Sequence, residues 1–167
     1  MRTLCDSTTS VPMIDEQTVR ISQHVLAKNI HCIDPDPNVQ RGSWDGWVME
    51  ESIRRTFVAL ESLDMLCRAR NNLSPVFCAY FCEAILPCPE HIWQASTAED
   101  WLSQYETWET YCGRALRMRN IIQWIRGEVS GKEEQLATWF QTVGELGEVI
   151  FVCARAYVVA AGSDESV

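Results

Sequence analysis

Apolar residues recur every three or four positions along most of this chain, and this periodicity constrains its fold more than any other feature. Such spacing places side chains on one face of an α-helix, where they can pack against a neighbouring element. There are three such stripes: the first follows Ser43, the second runs from Trp101 to Leu116, and the third runs from Leu136 to Tyr157. No segment shows the sustained alternation that marks a half-buried strand. The sequence therefore predicts an all-α fold, arranged as an antiparallel helical array.

Capping residues place the starts of the predicted helices. Ser43 can accept a hydrogen bond from the first free amide protons of a helix that reaches about Arg70. Ser96 or Thr97 does the same for the helix that carries the second apolar stripe. Another helix is predicted over residues 15–29, ahead of these two.

Prolines predict where the chain leaves helical structure. Two of them lie in segment 31–38, which is therefore predicted to be a connecting loop. Two more lie in segment 86–89, which is predicted to be irregular because proline also disfavours helix at the residue before it. Segment 74–85 is apolar enough for a short helix, but an extended path is the alternative.

The last predicted helix spans 132–161, and its later half is apolar on nearly every side. Gly144 and Gly147 fall inside this helical pattern, where we expect them to permit close packing. The longest apolar run, 149–161, contains Arg155 and has about thirteen residues, fewer than the roughly 20 needed to span a bilayer. No transmembrane helix is predicted.

The size and apolar content of the chain fit one domain. It has 167 residues, of which 47% are hydrophobic, so a single core can be filled. We expect one helical domain over 13–161, a disordered or frayed N-terminus at 1–12 and an acidic C-terminal tail at 162–167.

The charge balance disfavours several classes of partner. Lys and Arg number 14 against 23 Asp and Glu, and the formal net charge is −9. A field of this sign repels phosphate groups, so neither direct nucleic-acid binding nor membrane binding is expected. Eight cysteines occur without an N-terminal apolar signal segment, which indicates reduced thiols in an intracellular, nuclear or cytoplasmic protein.

The order of residues from Ser43 onward is distinctive. It reads Ser-Trp44-Asp-Gly-Trp47-Val-Met-Glu50-Glu51-Ser-Ile-Arg54-Arg55-Thr56-Phe57, then Leu86-Pro87-Cys88-Pro89, then Trp93-Gln-Ala95, then Trp101. This combination resembles the regulatory domain, or middle homology region, of fungal transcription factors of the binuclear zinc-cluster type. The resemblance covers about a third of the chain. It implies an all-helical array, larger than this chain in the family, that serves transcription regulation in the nucleus.

The DNA-binding module of that family is not recognisable here. A binuclear zinc cluster needs a basic run with several closely spaced cysteines, whereas Cys5 and Cys32 alone precede the motif. Zinc-cluster DNA recognition is therefore not carried over to this chain.

Two acid–arginine pairs in the motif have a structural interpretation of their own. Glu50 with Arg54 and Glu51 with Arg55 are both spaced i, i+4, with the acid first, which suits ion pairs on one helix. Buried, such pairs would fix helix packing. The functional alternative is that Arg54 or Arg55 offers its guanidinium to an anionic ligand or partner.

The soft metal ligands nearest to one another are Cys78, Cys82, Cys88 and His91. Their spacing allows a zinc site, but their apolar surroundings favour buried thiols, so no cofactor is predicted and zinc is kept as the alternative. The chain shows no paired metal-binding histidines, no nucleophile elbow and no glycine-rich phosphate loop. No catalytic residue is predicted.

The functional hypothesis is a regulatory or interaction module without its own DNA-binding part, binding a protein partner or a small apolar effector. The alternative is a stand-alone small-molecule-binding protein or biosynthetic enzyme of secondary metabolism that uses the helical domain as an apolar pocket. Homo-oligomerisation is a further option, as is a fragment of a longer product. The residues predicted to contact a ligand or partner are Arg54, Arg55, Trp101, Tyr105, Trp108 and Arg155.

Overall fold

The computed structural model describes residues 42–71, 73, 79–112, 116–128 and 131–164, and helices dominate this part of the chain. Its seven helices are α1 (Trp44–Arg70), α2 (Ala79–Glu83), α3 (Glu90–Trp93), α4 (Ala98–Cys112), α5 (Met118–Ile125), α6 (Glu133–Thr142) and α7 (Glu145–Asp164). The prediction of an all-α fold is confirmed. The N-terminus at 1–12, the predicted helix at 15–29 and the loop at 31–38 lie outside the described residues.

Helix α1 begins and ends where its capping residues predict. The Ser43 hydroxyl accepts a hydrogen bond from the amide of Gly46 at 3.3 Å, which satisfies one of the free donors of the first turn. Arg68 and Arg70 lie in the last turn, where positive charge complements the helix dipole. One face of α1 is buried along its length, and α1 is the longest of the described helices.

The chain between α2 and α3 is extended and paired with a distant segment. The amide of Leu86 donates to the carbonyl of Leu116 at 3.0 Å, and the amide of Met118 donates to the carbonyl of Ala84 at 3.0 Å. These bonds flank an isolated β-bridge between Ile85 and Arg117. Segment 86–89 is irregular, as its prolines predict, and the short helix α3 that follows it was not predicted.

The described end of segment 74–85 shows whether this segment is a helix or an extended path, which the sequence left open. Both paths are used, since α2 is followed by the extended residues that pair with Leu116 and Met118. Residues 74–78 lie outside the described part of the chain. The predicted stripe from Trp101 to Leu116 does not lie on a single helix. Helix α4 ends at Cys112, and Leu116 is buried in the segment that pairs with Leu86.

The prediction of one continuous helix over 132–161 is wrong, because the chain turns at Gly144 and forms α6 and α7. Gly144 has φ of 75°, a left-handed conformation that glycine adopts without steric cost. A Cβ at this position would lie 2.3 Å from Oε2 of Glu90, so α3 also packs close to the turn. The expectation for Gly147 is confirmed: a Cβ there would lie 2.0 Å from Cγ1 of Val143. Helix α7 continues to Asp164, inside the segment predicted as a tail.

Two apolar clusters hold the described helices together. The larger cluster joins α1, α2, α5, α6 and α7, and its buried residues include Phe57, Phe81, Ile121, Trp139 and Ile150. The smaller cluster lies at the N-terminal end of α1, where Trp47 packs with Cys88, Ile92 and Trp101. Aromatic side chains of this size each bury about 150–250 Å², so they supply much of the apolar area.

None of the described helices combines the length and the apolarity that crossing a membrane requires.

Trp139 joins the larger cluster to the irregular segment, and its substitution tests this role. Its side chain is fully buried, and its indole Nε1–H donates to the carbonyl of Pro87 at 2.7 Å. Trp139→Phe removes the donor and leaves a gap, so we expect a loss of about 2–3 kcal/mol in the free energy of unfolding, measured by urea denaturation. The matched control is Trp124→Phe, because Trp124 is 39% exposed. Equal losses in both variants would contradict the assigned role.

Candidate functional site

The structure divides the six predicted contact residues between two places. Arg54 and Arg55 lie on the buried face of the N-terminal half of α1, beside the aromatic residues of α4 at 101, 105 and 108. Arg155 instead lines a groove between α7 and the last turn of α1.

The centre of the first place is Glu51, whose side chain is fully buried within α1. Its Oε2 accepts a hydrogen bond from Nη1 of Arg54, and its Oε1 accepts from Nε of Arg55 at 3.0 Å. The pair predicted between Glu51 and Arg55 is confirmed, whereas Arg54 bonds to Glu51 rather than to Glu50. A buried carboxylate requires compensation of this kind, because its transfer from water is costly unless it is paired and hydrogen-bonded.

The same ionic group holds the irregular segment 86–89 in place. The amide of Cys88 donates to Oε1 of Glu51 at 2.9 Å, and the carbonyl of Cys88 accepts from Nη2 of Arg55 at 2.7 Å. The guanidinium of Arg55 also lies over the ring of Trp93, 5.0 Å from its centroid, in a cation–π contact. Arg55 thus fixes segment 86–89, whereas Arg54 bonds to the buried carboxylate of Glu51.

Beside this network the aromatic residues of α4 pack as core. The ring centroid of Trp47 lies 5.4 Å from that of Trp101 and 5.9 Å from that of Tyr105, and Tyr105 lies 5.6 Å from Trp108. The indole nitrogens of Trp44, Trp101 and Trp108 are buried, and none has a hydrogen-bond partner in the described part of the chain. Ring packing rather than hydrogen bonding therefore holds these side chains.

The proposed metal ligands do not converge where they are described. Cys88 is buried and its Sγ lies 3.4 Å from the carbonyl oxygen of Pro89, while Cys82 is half-buried and His91 is exposed. Cys78 lies outside the described residues. Across the ranges given above, no three His, Cys, Asp or Glu side chains are placed to hold a metal ion.

Burial makes the described core thiols poor nucleophiles. It raises the pKa of Cys88 far above the usual thiol range, and the nearby Glu51 charge adds to that shift while Arg55 opposes it. Burial also raises the pKa of Cys82 and of Cys153. Since the thiolate is the reactive form, these cysteines behave as small apolar core residues.

The second place is an open groove with a volume of about 520 Å³. The described residues that line it are apolar except for one arginine, and they are Ala69, Phe151, Val152, Arg155, Ala156, Val159 and Ala160. The side chains of Val152 and Val159 are 53% and 63% exposed, so α7 presents apolar surface to solvent here. Arg155 was predicted as a contact residue, but the apolar lining was not.

A signal for the groove was present in the sequence, in the later half of the last predicted helix. A helix that is apolar on every side needs to be covered on every side. In the structure α1 and α5 contact α7, yet the valines at 152 and 159 remain exposed. The apolar face of α7 that these described helices leave exposed is therefore the face that the sequence pattern indicated.

Replacing the buried acid tests whether the network is structural. Glu51→Gln removes the buried negative charge to which both guanidinium groups bond, so we expect the free energy of unfolding to fall by about 3 kcal/mol. The control is Glu50→Gln, which changes the neighbouring, half-exposed carboxylate by the same chemistry and should cost under about 0.5 kcal/mol. Chemical denaturation of both variants is the measurement, and similar losses would show that Glu51 has no special role.

Thiol labelling tests the burial of the cysteines. In the folded protein we expect iodoacetamide to modify the half-exposed Cys67 but not Cys88 or Cys153, as read by mass spectrometry of peptides. Because burial raises the pKa of Cys88, raising the pH through the usual thiol range should not increase its labelling. Unfolded protein, in which every cysteine is accessible, is the control. Rapid labelling of Cys88 in the folded state would contradict this placement.

Comparison with known proteins assigns no family to this arrangement of network and groove. No family model matches the chain, and neither a curated protein nor a solved structure matches it. The resemblance to the fungal regulatory domain thus stays a prediction from the quoted residues.

Proposed function

We propose that this chain is an interaction module of the transcription-regulatory kind, which binds a protein partner through the groove between α1 and α7. The observation that carries the proposal is the groove itself, an apolar channel of about 520 Å³ bordered by exposed valines. Exposed apolar surface of this kind is unfavourable in water and marks interaction sites in folded proteins.

The shape of the groove suits a helical segment of a partner. Val152, Ala156 and Val159 follow the spacing i, i+4, i+7 along α7, so they form a continuous ridge on one face. Alanines at 69, 156 and 160 keep the floor low and let another backbone come close. An amphipathic helix that lays its apolar side into such a groove is a recurring mode of recognition.

Small-molecule binding is less well supported by the same geometry. Sites for small ligands enclose roughly 70–90% of the ligand surface, whereas the groove side chains at 152 and 159 remain more than half exposed. Catalysis finds no support in the described cysteines, since burial raises the pKa of three of them. An extended partner covers an open channel better than a compact metabolite does.

The regulatory part of the proposal rests on the sequence motif and on charge. The motif from Trp44 to Trp101 resembles a transcription-factor regulatory domain, and the net charge of −9 opposes contact with DNA phosphates. Under this proposal the module reaches a promoter in the nucleus through a partner protein rather than by binding DNA.

A tethered reporter assay tests the proposal. The chain is fused to an unrelated DNA-binding domain whose site lies upstream of a reporter gene, and we expect reporter output to change by several-fold. Val152→Asp places a charged, hydrated side chain in the apolar groove and should abolish the change, because this side chain must lose its water when a partner binds. Val149→Asp is the matched control, since Val149 is 38% exposed on the same helix and does not line the groove.

Two results would contradict the proposed function. One is reporter output that is unchanged by the fusion or equally affected by both substitutions. The other is retention of specific DNA by the isolated chain at physiological salt, which would place the activity in direct DNA contact. Circular dichroism of both aspartate variants establishes that each one is folded.

A further inference from the structure

The rim of the groove, which is formed by Arg155, carries a positive charge that distinguishes between partners. Arg155 is exposed and is the one charged residue among the described groove-lining residues. Arg155 forms no ion pair with any described residue, whereas Arg68 on α1 pairs with Asp64 at 2.6 Å. One positive charge without an ion pair among the described residues thus accompanies an apolar channel.

This local charge is opposite to that of the whole chain. The net charge is −9, so most of the surface attracts basic partners and repels acidic ones. At the groove the sign is reversed, and no described lining residue is acidic. Because complementary charge at a rim raises the association rate and excludes partners of the same sign, the rim selects an acidic occupant.

We infer that the occupant of the groove is an acidic amphipathic helix of a partner protein, an inference that rests on the proposed function. Its apolar face fills the channel, and carboxylates on the flank of that face lie against Arg155. The exposed ridge from Val152 to Ala160 is about 12 Å long at the rise of an α-helix, so at least two turns of the partner are in contact. Basic helices with the same apolar face bind less tightly, because the rim repels their charge.

Other anionic partners fit these observations less well. Nucleic acid would bring many phosphates toward a chain that is strongly acidic outside the groove, and it offers no continuous apolar face. A long-chain carboxylate has both an apolar tail and a charge, but it fills an open channel only in part. The amphipathic helix satisfies the length, the openness and the charge of the groove together.

The experiment uses fluorescein-labelled synthetic peptides and the full chain. One peptide of about 16 residues has leucines at i, i+3, i+4 and i+7 with flanking glutamates, and a second carries lysine at each glutamate position. Fluorescence anisotropy gives the two affinities. We expect the acidic peptide to bind about fivefold more tightly, and this preference to shrink as salt is added.

Substitutions at the rim reverse or preserve that order. Arg155→Glu should reverse the preference, so that the lysine peptide binds more tightly than the acidic one. The matched control is Arg119→Glu, which makes the same charge change at an exposed arginine that pairs with Glu83 and does not line the groove. The control variant should keep the preference of the original chain.

Several outcomes overturn the inference. Equal affinities for the two peptides, or equal effects of the two substitutions, show that the rim does not select charge. Laurate that displaces the acidic peptide and binds more tightly assigns the groove to a small carboxylate. Self-association that Val152→Asp abolishes, seen by sedimentation, assigns it to a second copy of the chain.

The inference and the proposed function fail separately. If neither peptide binds while the tethered chain still changes reporter output in a Val152-dependent way, the acidic helix is wrong and the interaction module stands. If the peptides bind in the expected order but the tethered chain is silent, the groove chemistry stands and the regulatory role is wrong.

Discussion

The carboxylate of Glu51 is the interaction on which the described fold depends most. It is fully buried, yet it meets two arginines and the amide of Cys88, so each of its oxygens is hydrogen-bonded. Arg55 continues the connection to the carbonyl of Cys88. Such a network adds little net stability, because desolvation offsets the attraction between the charges. Its effect is to fix one position of α1 relative to segment 86–89.

Segment 86–89 is also where the two apolar clusters meet. Pro87 accepts the indole N–H of Trp139 from the larger cluster, while Cys88 belongs to the smaller one with Trp47 and Trp101. Moving the segment by one residue would break the bonds from Glu51, Arg55 and Trp139 at once. The network therefore sets the register in which both clusters form, which apolar contacts alone specify less sharply.

Local patterns predicted much of this arrangement. The cap at Ser43, the irregular segment 86–89 and the pair between Glu51 and Arg55 all follow from residue chemistry over short spans. The break at Gly144 did not follow, because its neighbours keep helical period and the close approach of Glu90 arises only in the folded chain. The groove was predicted only in part: the apolar later half of the last predicted helix indicated excess apolar surface, but the channel beside Ala69 arises only where α1 and α7 meet in the folded chain.

The length of α1 has a consequence for how the sequence can change. Trp47 in the smaller cluster and Ala69 at the groove are about 33 Å apart along one continuous helix. Substitutions near Ala69 alter the surface offered to other molecules without disturbing Glu51 and the turn. Substitutions near Trp47 endanger folding itself. The groove surface at one end of α1 can therefore change in sequence while the packing around Glu51 at the other end stays the same.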